Sequence, residues 1–148
     1  MEVTAIQALT KRIRRRVSAR EQEFFAVTAP GLEPVCRQEM IDLGISGLRP
    51  ISGGVGFTGR LPDLYRTNLW LRSASRVLMR VHRFTAVHFG QLERQLARID
   101  WELYLPERAE IRPQVSLHSS RIFHSTAVAE RVLAAAGVNR NETGARQT

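Results

Sequence analysis

The alternation of apolar and polar positions divides the chain into short elements from Glu21 onward. Phe24-Phe25-Ala26-Val27-Thr28-Ala29 is an apolar run rich in aromatic and β-branched side chains. Pro30-Gly31 stops it, and the run predicts a strand. Leu32, Val35, Cys36, Met40 and Leu43 follow at helical spacing, and Gly44 closes that helix. Residues 48–51 and 55–58 predict two strands joined by a tight hairpin at Ser52-Gly53-Gly54. Pro62 suits the first position of a second helix. The inner stripe and edge of that helix are Leu61, Leu64, Tyr65, Asn68, Leu69 and Arg72. A last strand over residues 76–84 sets Val77, Met79 and Val81 on one face. The order β-α-β-β-α-β is the ferredoxin-like arrangement, so residues 22–86 are expected to form an α+β unit of that kind.

The pattern weakens beyond this unit. Phe89, Leu92, Leu96 and Ile99 predict an amphipathic helix, with Trp101, Leu103, Tyr104 and Leu105 tucked beneath it. Gln114-Val115-Ser116-Leu117 reads as a strand and Ser119-Ser120 as the turn after it. Val128, Ala129, Val132, Leu133 and Ala136 make a further helix, capped by Ser125 or Thr126 and ended by Gly137. Residues 138–148 are polar and aperiodic. One strand flanked by helices leaves both of its edges unpaired, so residues 87–148 read as an incomplete second unit.

Charge adds to this picture. An apolar fraction of 43% supports a packed core, and no run approaches the length of a membrane span. The single cysteine cannot form an internal disulfide, and no secretory signal is visible, so the cytoplasm is the expected compartment. The net charge of +8 is carried almost wholly by arginine, since Lys11 is the one lysine among 22 basic residues. Guanidinium groups bind phosphate through paired hydrogen bonds and stack on bases, which suits RNA; a GC-rich genome favours arginine equally well. Six basic residues, Lys11, Arg12, Arg14, Arg15, Arg16 and Arg20, fall within ten positions free of acids. Ile6, Leu9, Ile13 and Val17 give this stretch a helical stripe too small to fold alone. Residues 1–21 then form a solvated extension, a disordered basic arm that settles on phosphates, or a mitochondrial presequence.

Catalytic chemistry is not written in the chain. His82, His88, His118 and His124 have no metal-ligand spacing with Cys36. Cys36 lies on the apolar stripe of its helix and reads as core. The glycines between Gly53 and Gly59 lack the Lys-Ser/Thr of a phosphate loop and suit a hairpin instead. No G-x-G-x-x-G opens a βαβ unit. Trp70 and Trp101 are read as core or interdomain residues ahead of base-stacking ones.

Several stretches resemble one family in order and spacing. They are 25–33 (FAVTAPGLE), 53–59 (GGVGFTG), 68–78 (NLWLRSASRVL), Ile99-Asp100-Trp101, and the Ser-rich turn and helix of 116–132. Together they are similar to the N-terminal region of the THUMP-containing, S-adenosylmethionine-dependent rRNA guanine-N2 methyltransferases. The resemblance implies a ferredoxin-like domain followed by a THUMP domain, with a Rossmann-like methyltransferase domain beyond. The chain departs from that pattern by stopping. Further THUMP strands, an Asn/Asp-Pro-Pro-aromatic motif and the cofactor-binding domain are not within it.

The resemblance therefore implies an RNA-targeting portion whose parent methylates N2 of a guanine, expected in 23S rRNA. No cofactor is expected in this chain; S-adenosylmethionine belongs to the catalytic domain. RNA is the expected partner, with no membrane and no metal. Arg14, Arg15 and Arg16 are the candidate phosphate contacts of the arm. His118, Ser119, Ser120, Arg121 and His124 are the candidate contacts of the THUMP turn, Arg121 on phosphate and the serines as neutral donors. Two rivals remain. One is a ferredoxin-like protein-interaction module; the other is an acylphosphatase-like enzyme built on Asn68 and a nearby arginine.

Overall fold

The computed structural model describes residues 2–106, 109–122 and 124–137, and the chain divides into two compact units, Met1–Val81 and His82–Thr148. The first opens with helix α1 (Glu2–Ile13) and a π-helical turn, Arg14–Ser18. Four strands and two helices follow: β1 (Gln22–Thr28), α2 (Glu33–Asp42), β2 (Arg49–Ile51), β3 (Gly54–Gly59), α3 (Leu61–Trp70) and β4 (Ala74–Met79).

The sheet order is β2-β3-β1-β4 and every neighbouring pair is antiparallel. Each strand-helix-strand crossover thus leaves a gap of one strand, which the other crossover fills. That interleaving is the ferredoxin-like arrangement expected from the sequence. Register decides the faces. Phe24 stands between Phe57 and Met79, and Ala26 between Val55 and Val77. These rows meet Cys36, Met40 and Ile45 in one core, with Leu43, Leu64 and Leu71 packed against it. Phe24 and Phe57 lie with ring centroids 5.2 Å apart, tilted by 35°.

Three details differ from the sequence-based expectation. The buried face of α3 is Leu64, Thr67 and Leu71, whereas Tyr65, Leu69 and Trp70 are 60%, 78% and 65% exposed. A polar residue hid that face. Thr67 is fully buried because its hydroxyl donates to the carbonyls of Asp63 and Leu64, each at 2.9 Å. Trp70 is accordingly not a core residue, and Pro62 takes the second helical position, behind Leu61. The last strand is also shorter than 76–84. After Arg80 N–H donates to Glu23 O, β1 has run out of residues to pair with, and 81–86 carry no regular structure.

The third difference concerns the basic stretch, which is helical, with its basic residues exposed, where one of the three sequence readings was a disordered arm. Val17 is buried, and Gln22 Nε2 donates to the carbonyls of Arg16 and Val17, so the turn is tied to the start of β1. Among the described residues no helix is long and apolar enough to cross a membrane.

The second unit contains α4 (Phe89–Leu96), a 3₁₀ turn (Trp101–Leu103) and α5 (Ser125–Ala135). His88 Nδ1 accepts from Gln91 N–H, and Gln91 Oε1 accepts from Val87 N–H, a reciprocal cap on α4. The core here is Leu92, Leu96 and Ile122, flanked by Phe89, Ile99, Trp101, Val128 and Val132. Trp101 Nε1 donates to Leu96 O, which fixes the indole under α4 as expected. The strand expected at 114–117 is not formed. A strand needs a neighbour for its ladder, and the described residues of this unit include none. The cap of α5 falls on His124, without a side-chain cap, rather than on Ser125 or Thr126.

Candidate RNA interface

Arg14, Arg15 and Arg16 sit on successive positions of the π-helical turn, all exposed. The turn is closed by Ala19 N–H donating to Arg14 O at 2.9 Å, a five-residue step. Such turns are rare and widen the helix locally. With Lys11 and Arg12 in the last turn of α1, they concentrate positive charge around one helix end. A helix C-terminus tolerates cations well, because its free carbonyls carry partial negative charge.

The second candidate region is a bend. His118, Ser119, Ser120 and Arg121 are exposed on consecutive residues, and Ser119 has a positive φ of 49°. Ser120 Oγ accepts from Ile122 N–H at 3.1 Å, and that bond turns the chain so that Ile122 enters the core. The serine thus holds the turn as well as being a candidate donor. His124 lies at the start of α5, beyond this bend. The bend brings residues 118–121 together; Arg14, Arg15 and Arg16 belong to the other unit.

The residues that carry the family resemblance prove to be builders of the fold. Glu33 ties two of the stretches together by accepting from Gly31 N–H at 2.7 Å and Gly53 N–H at 2.9 Å. The bond from Gly53 and those from its own turn hold the Glu33 carboxyl below its ordinary pKa. Gly53 has a φ of 85°, the left-handed region where glycine is favoured. Glu39 closes the third stretch, accepting from Ser73 Oγ at 2.7 Å, Ser73 N–H at 3.1 Å and Arg72 N–H at 3.2 Å. The Ser73 hydroxyl, ahead of the backbone donors and Arg72, lowers its pKa. Burial pushes the Cys36 thiol up, which makes it a poor nucleophile and supports its reading as core.

The acylphosphatase-like rival is not favoured by this geometry. Asn68 Nδ2 donates back to Leu64 O of its own helix, and Arg72 Nε pairs with Glu39 Oε1 at 3.4 Å. Neither is turned toward a shared anion. No cluster of metal-ligating side chains occurs among the described residues. Nor do the residues present fit an adenosyl cofactor. Nucleotides of that kind sit at the carboxyl ends of parallel strands, whereas this sheet is antiparallel throughout and its glycines serve a hairpin.

One group of basic residues was not singled out from the sequence. Arg49 and Arg76 lie on the sheet face opposite the core, in rows set by register. The signal was present: strand positions alternate, so Arg76, next to the inward-facing Val77, must point away from the core.

Comparison with known proteins now bears on the fold just described. Residues 23–78 match the RlmL ferredoxin-like domain. The chain is 34% identical over 108 residues to the Synechocystis protein named "Putative RNA methyltransferase slr0064", covering 73% of this chain and 28% of that one. It is 34% identical over 111 residues to "Ribosomal RNA large subunit methyltransferase K/L" of Methylococcus capsulatus, covering 75% and 15%. The structure superposes with a TM-score of 0.71 on that of "SMU.472, a putative methyltransferase complexed with SAH". That pair shares 28% identity and covers 78% of this chain and 30% of the other. The chain thus spans 28% and 15% of the length of these two relatives. Its ferredoxin-like unit is similar to the RlmL ferredoxin-like domain.

Proposed function

We propose that this chain is the RNA-targeting portion of a class I S-adenosylmethionine-dependent RNA methyltransferase of the cytoplasm. The observation that carries the reading is the match of 23–78 to the RlmL ferredoxin-like domain, with rRNA methyltransferases as relatives. The substrate of the whole enzyme is N2 of a guanine in 23S rRNA, and residues 87–148 are part of a THUMP domain. This chain delivers RNA; S-adenosylmethionine is the methyl donor of the whole enzyme and binds its catalytic domain, and the SAH in the related methyltransferase structure supports that choice of cofactor. Arg14, Arg15 and Arg16 hold phosphates through charge, while Arg121, in one bend with His118, Ser119 and Ser120 and followed by His124 at the start of α5, reads folded RNA.

Filter binding with a 23S rRNA fragment and a random single strand of equal length tests this. Arg121→Ala is expected to lower the preference for the structured fragment. A preference unchanged in the variant overturns the assignment of that turn. Purified alone, the chain is expected to transfer no methyl group from radiolabelled cofactor to either RNA.

The protein-interaction reading is favoured by one observation, the exposure of Tyr65, Leu69 and Trp70 on α3. Binding that survives high salt separates it from RNA binding, which weakens steeply as salt rises.

A further inference from the structure

Helices α2 and α3 pack against one face of the sheet, the face of Phe24, Ala26, Val55, Phe57, Val77 and Met79. The other face is read from register. One row across it is Arg49, Gly56, Phe25 and Leu78; the next is Ile51, Gly54, Val27 and Arg76. Arg49, Ile51, Arg76 and Leu78 are exposed, and Phe25 and Val27 are half-buried.

Two features distinguish this surface from an ordinary solvated sheet. The first is its floor. Gly54 and Gly56 occupy alternate positions of β3 on this face, so no side chain rises between β2 and β1 there. A Cβ on Gly54 would lie 2.7 Å from Phe25 Cζ and 2.1 Å from Ala26 O, so the Phe25 ring rests where a side chain would stand. The second is its charge. Arg80 pairs with Glu23, whereas Arg49 and Arg76 stand in the two rows around Phe25. An aromatic ring laid on backbone, with an arginine on the same sheet face of a strand to either side, offers a nucleobase a stacking surface and its flanking phosphates two cations. An acidic protein would find the cations but would gain little from a flat ring beside a glycine floor.

We propose that the outer face of this sheet binds a single-stranded RNA segment, with a base stacked on Phe25 and phosphates paired with Arg49 and Arg76. The proposal rests on the RNA-targeting reading and adds a binding surface to it.

The test uses the full chain and a fluorescein-labelled twelve-nucleotide oligouridylate, titrated at several salt concentrations. Arg49→Gln with Arg76→Gln is expected to weaken binding and to flatten the plot of log affinity against log salt by about 1.4, because each phosphate neutralised on a single strand accounts for about 0.7 of the slope. Phe25→Leu keeps an apolar side chain and removes the ring; it is expected to weaken binding about tenfold, within the usual range for one stacked base, without changing the slope. Circular dichroism melts confirm that each variant is folded. Photocrosslinking of a 4-thiouridine version is expected to label the tryptic peptide that contains Phe25, which reports the stacked base even where a substitution disturbs folding. Wild-type binding that is unaltered in both variants, with the crosslink elsewhere, overturns this surface and leaves the RNA-targeting reading standing. A wild-type chain that binds neither oligouridylate nor the rRNA fragment overturns both.

Discussion

The two units of this chain are built to different standards. The first closes four strands on two helices, and its core is continuous from Phe24 through Met40 to Val77. The second holds, among its described residues, two helices and a short turn around Leu92, Leu96 and Ile122. In the first, long-range carboxylate bonds lock the loops: Glu33 to Gly53 across 20 positions and Glu39 to Ser73 across 34. In the second, the long-range polar lock is exposed: Arg131 pairs with Glu93 at 2.7 Å and lies 4.1 Å over the Phe89 ring. The family match, residues 23–78, falls within the first unit, while the alignments to the relatives run over 108 and 111 residues and so reach into the second. The lesson is that the family-model match covers residues that fix the first fold, such as Glu33, Glu39 and Ser73, whereas the candidate RNA contacts Arg14–Arg16 and 118–124 lie outside residues 23–78.

Removing one side chain from each core should expose the difference most strongly. Phe57→Ala deletes a fully buried ring and is expected to cost about 3–5 kcal/mol, a large share of a small domain's stability, and to lower the melting temperature of the first unit. Leu96→Ala is expected to cost about 2–3 kcal/mol and to melt the second unit while the first persists. Thermal circular dichroism, backed by one-dimensional NMR, checks both. A first unit that melts in the Leu96 variant contradicts their independence.

Limited trypsin digestion sharpens the same contrast without mutation. Both units are rich in arginine, so cleavage reports protection rather than site supply. The first unit should survive as a fragment ending near Val81, with early cuts beyond it. Recovery of an intact second unit from a digested first would reverse the comparison.

Smaller effects are expected at the locks. Glu39→Gln keeps the size of the side chain and loses the charge that three donors share, so about 1–2 kcal/mol of stability should go. Acid should act on the same bonds. Glu33 and Glu39 both have folded pKa values below 4.5, so the native state binds their protons less readily than the unfolded chain does. Their contribution is fully present above 4.5 and fades as pH falls through the lower folded values. The melting temperature of the first unit should therefore drop below about pH 4.5, and the doubly substituted Glu33→Gln, Glu39→Gln protein should drop less over the same interval. Equal slopes for the two proteins would remove these carboxylates from the account.

Much of the first unit was legible because its signals are local and mutually consistent. Apolar alternation, Pro30-Gly31, Gly44 and the glycine hairpin each marked a boundary that the structure keeps. What escaped was context. Thr67 is polar by type yet buried, because its hydroxyl is satisfied by the helix behind it. Leu69 and Trp70 are apolar yet exposed, since α3 presents the face of Leu64, Thr67 and Leu71 to the core. The end of β4 was set by where β1 begins, a fact of pairing rather than of its own residues. The strand at 114–117 failed for the same reason: alternation proposes a strand, but only a neighbour makes one. The candidate site was legible only as charge. Arginine clusters show in a sequence, whereas the rows that place Arg49 and Arg76 beside Phe25 depend on register.

The salt dependence of RNA binding tests the central claim most directly. About four to six phosphate contacts should give a slope of about −3 to −4 for log affinity against log salt on single-stranded RNA. Replacing Arg14, Arg15 and Arg16 with Ala should flatten it by about two units, whatever the RNA sequence. Binding that holds constant as salt rises tenfold, in both the wild-type and the substituted chain, would contradict an RNA-targeting role carried by these arginines.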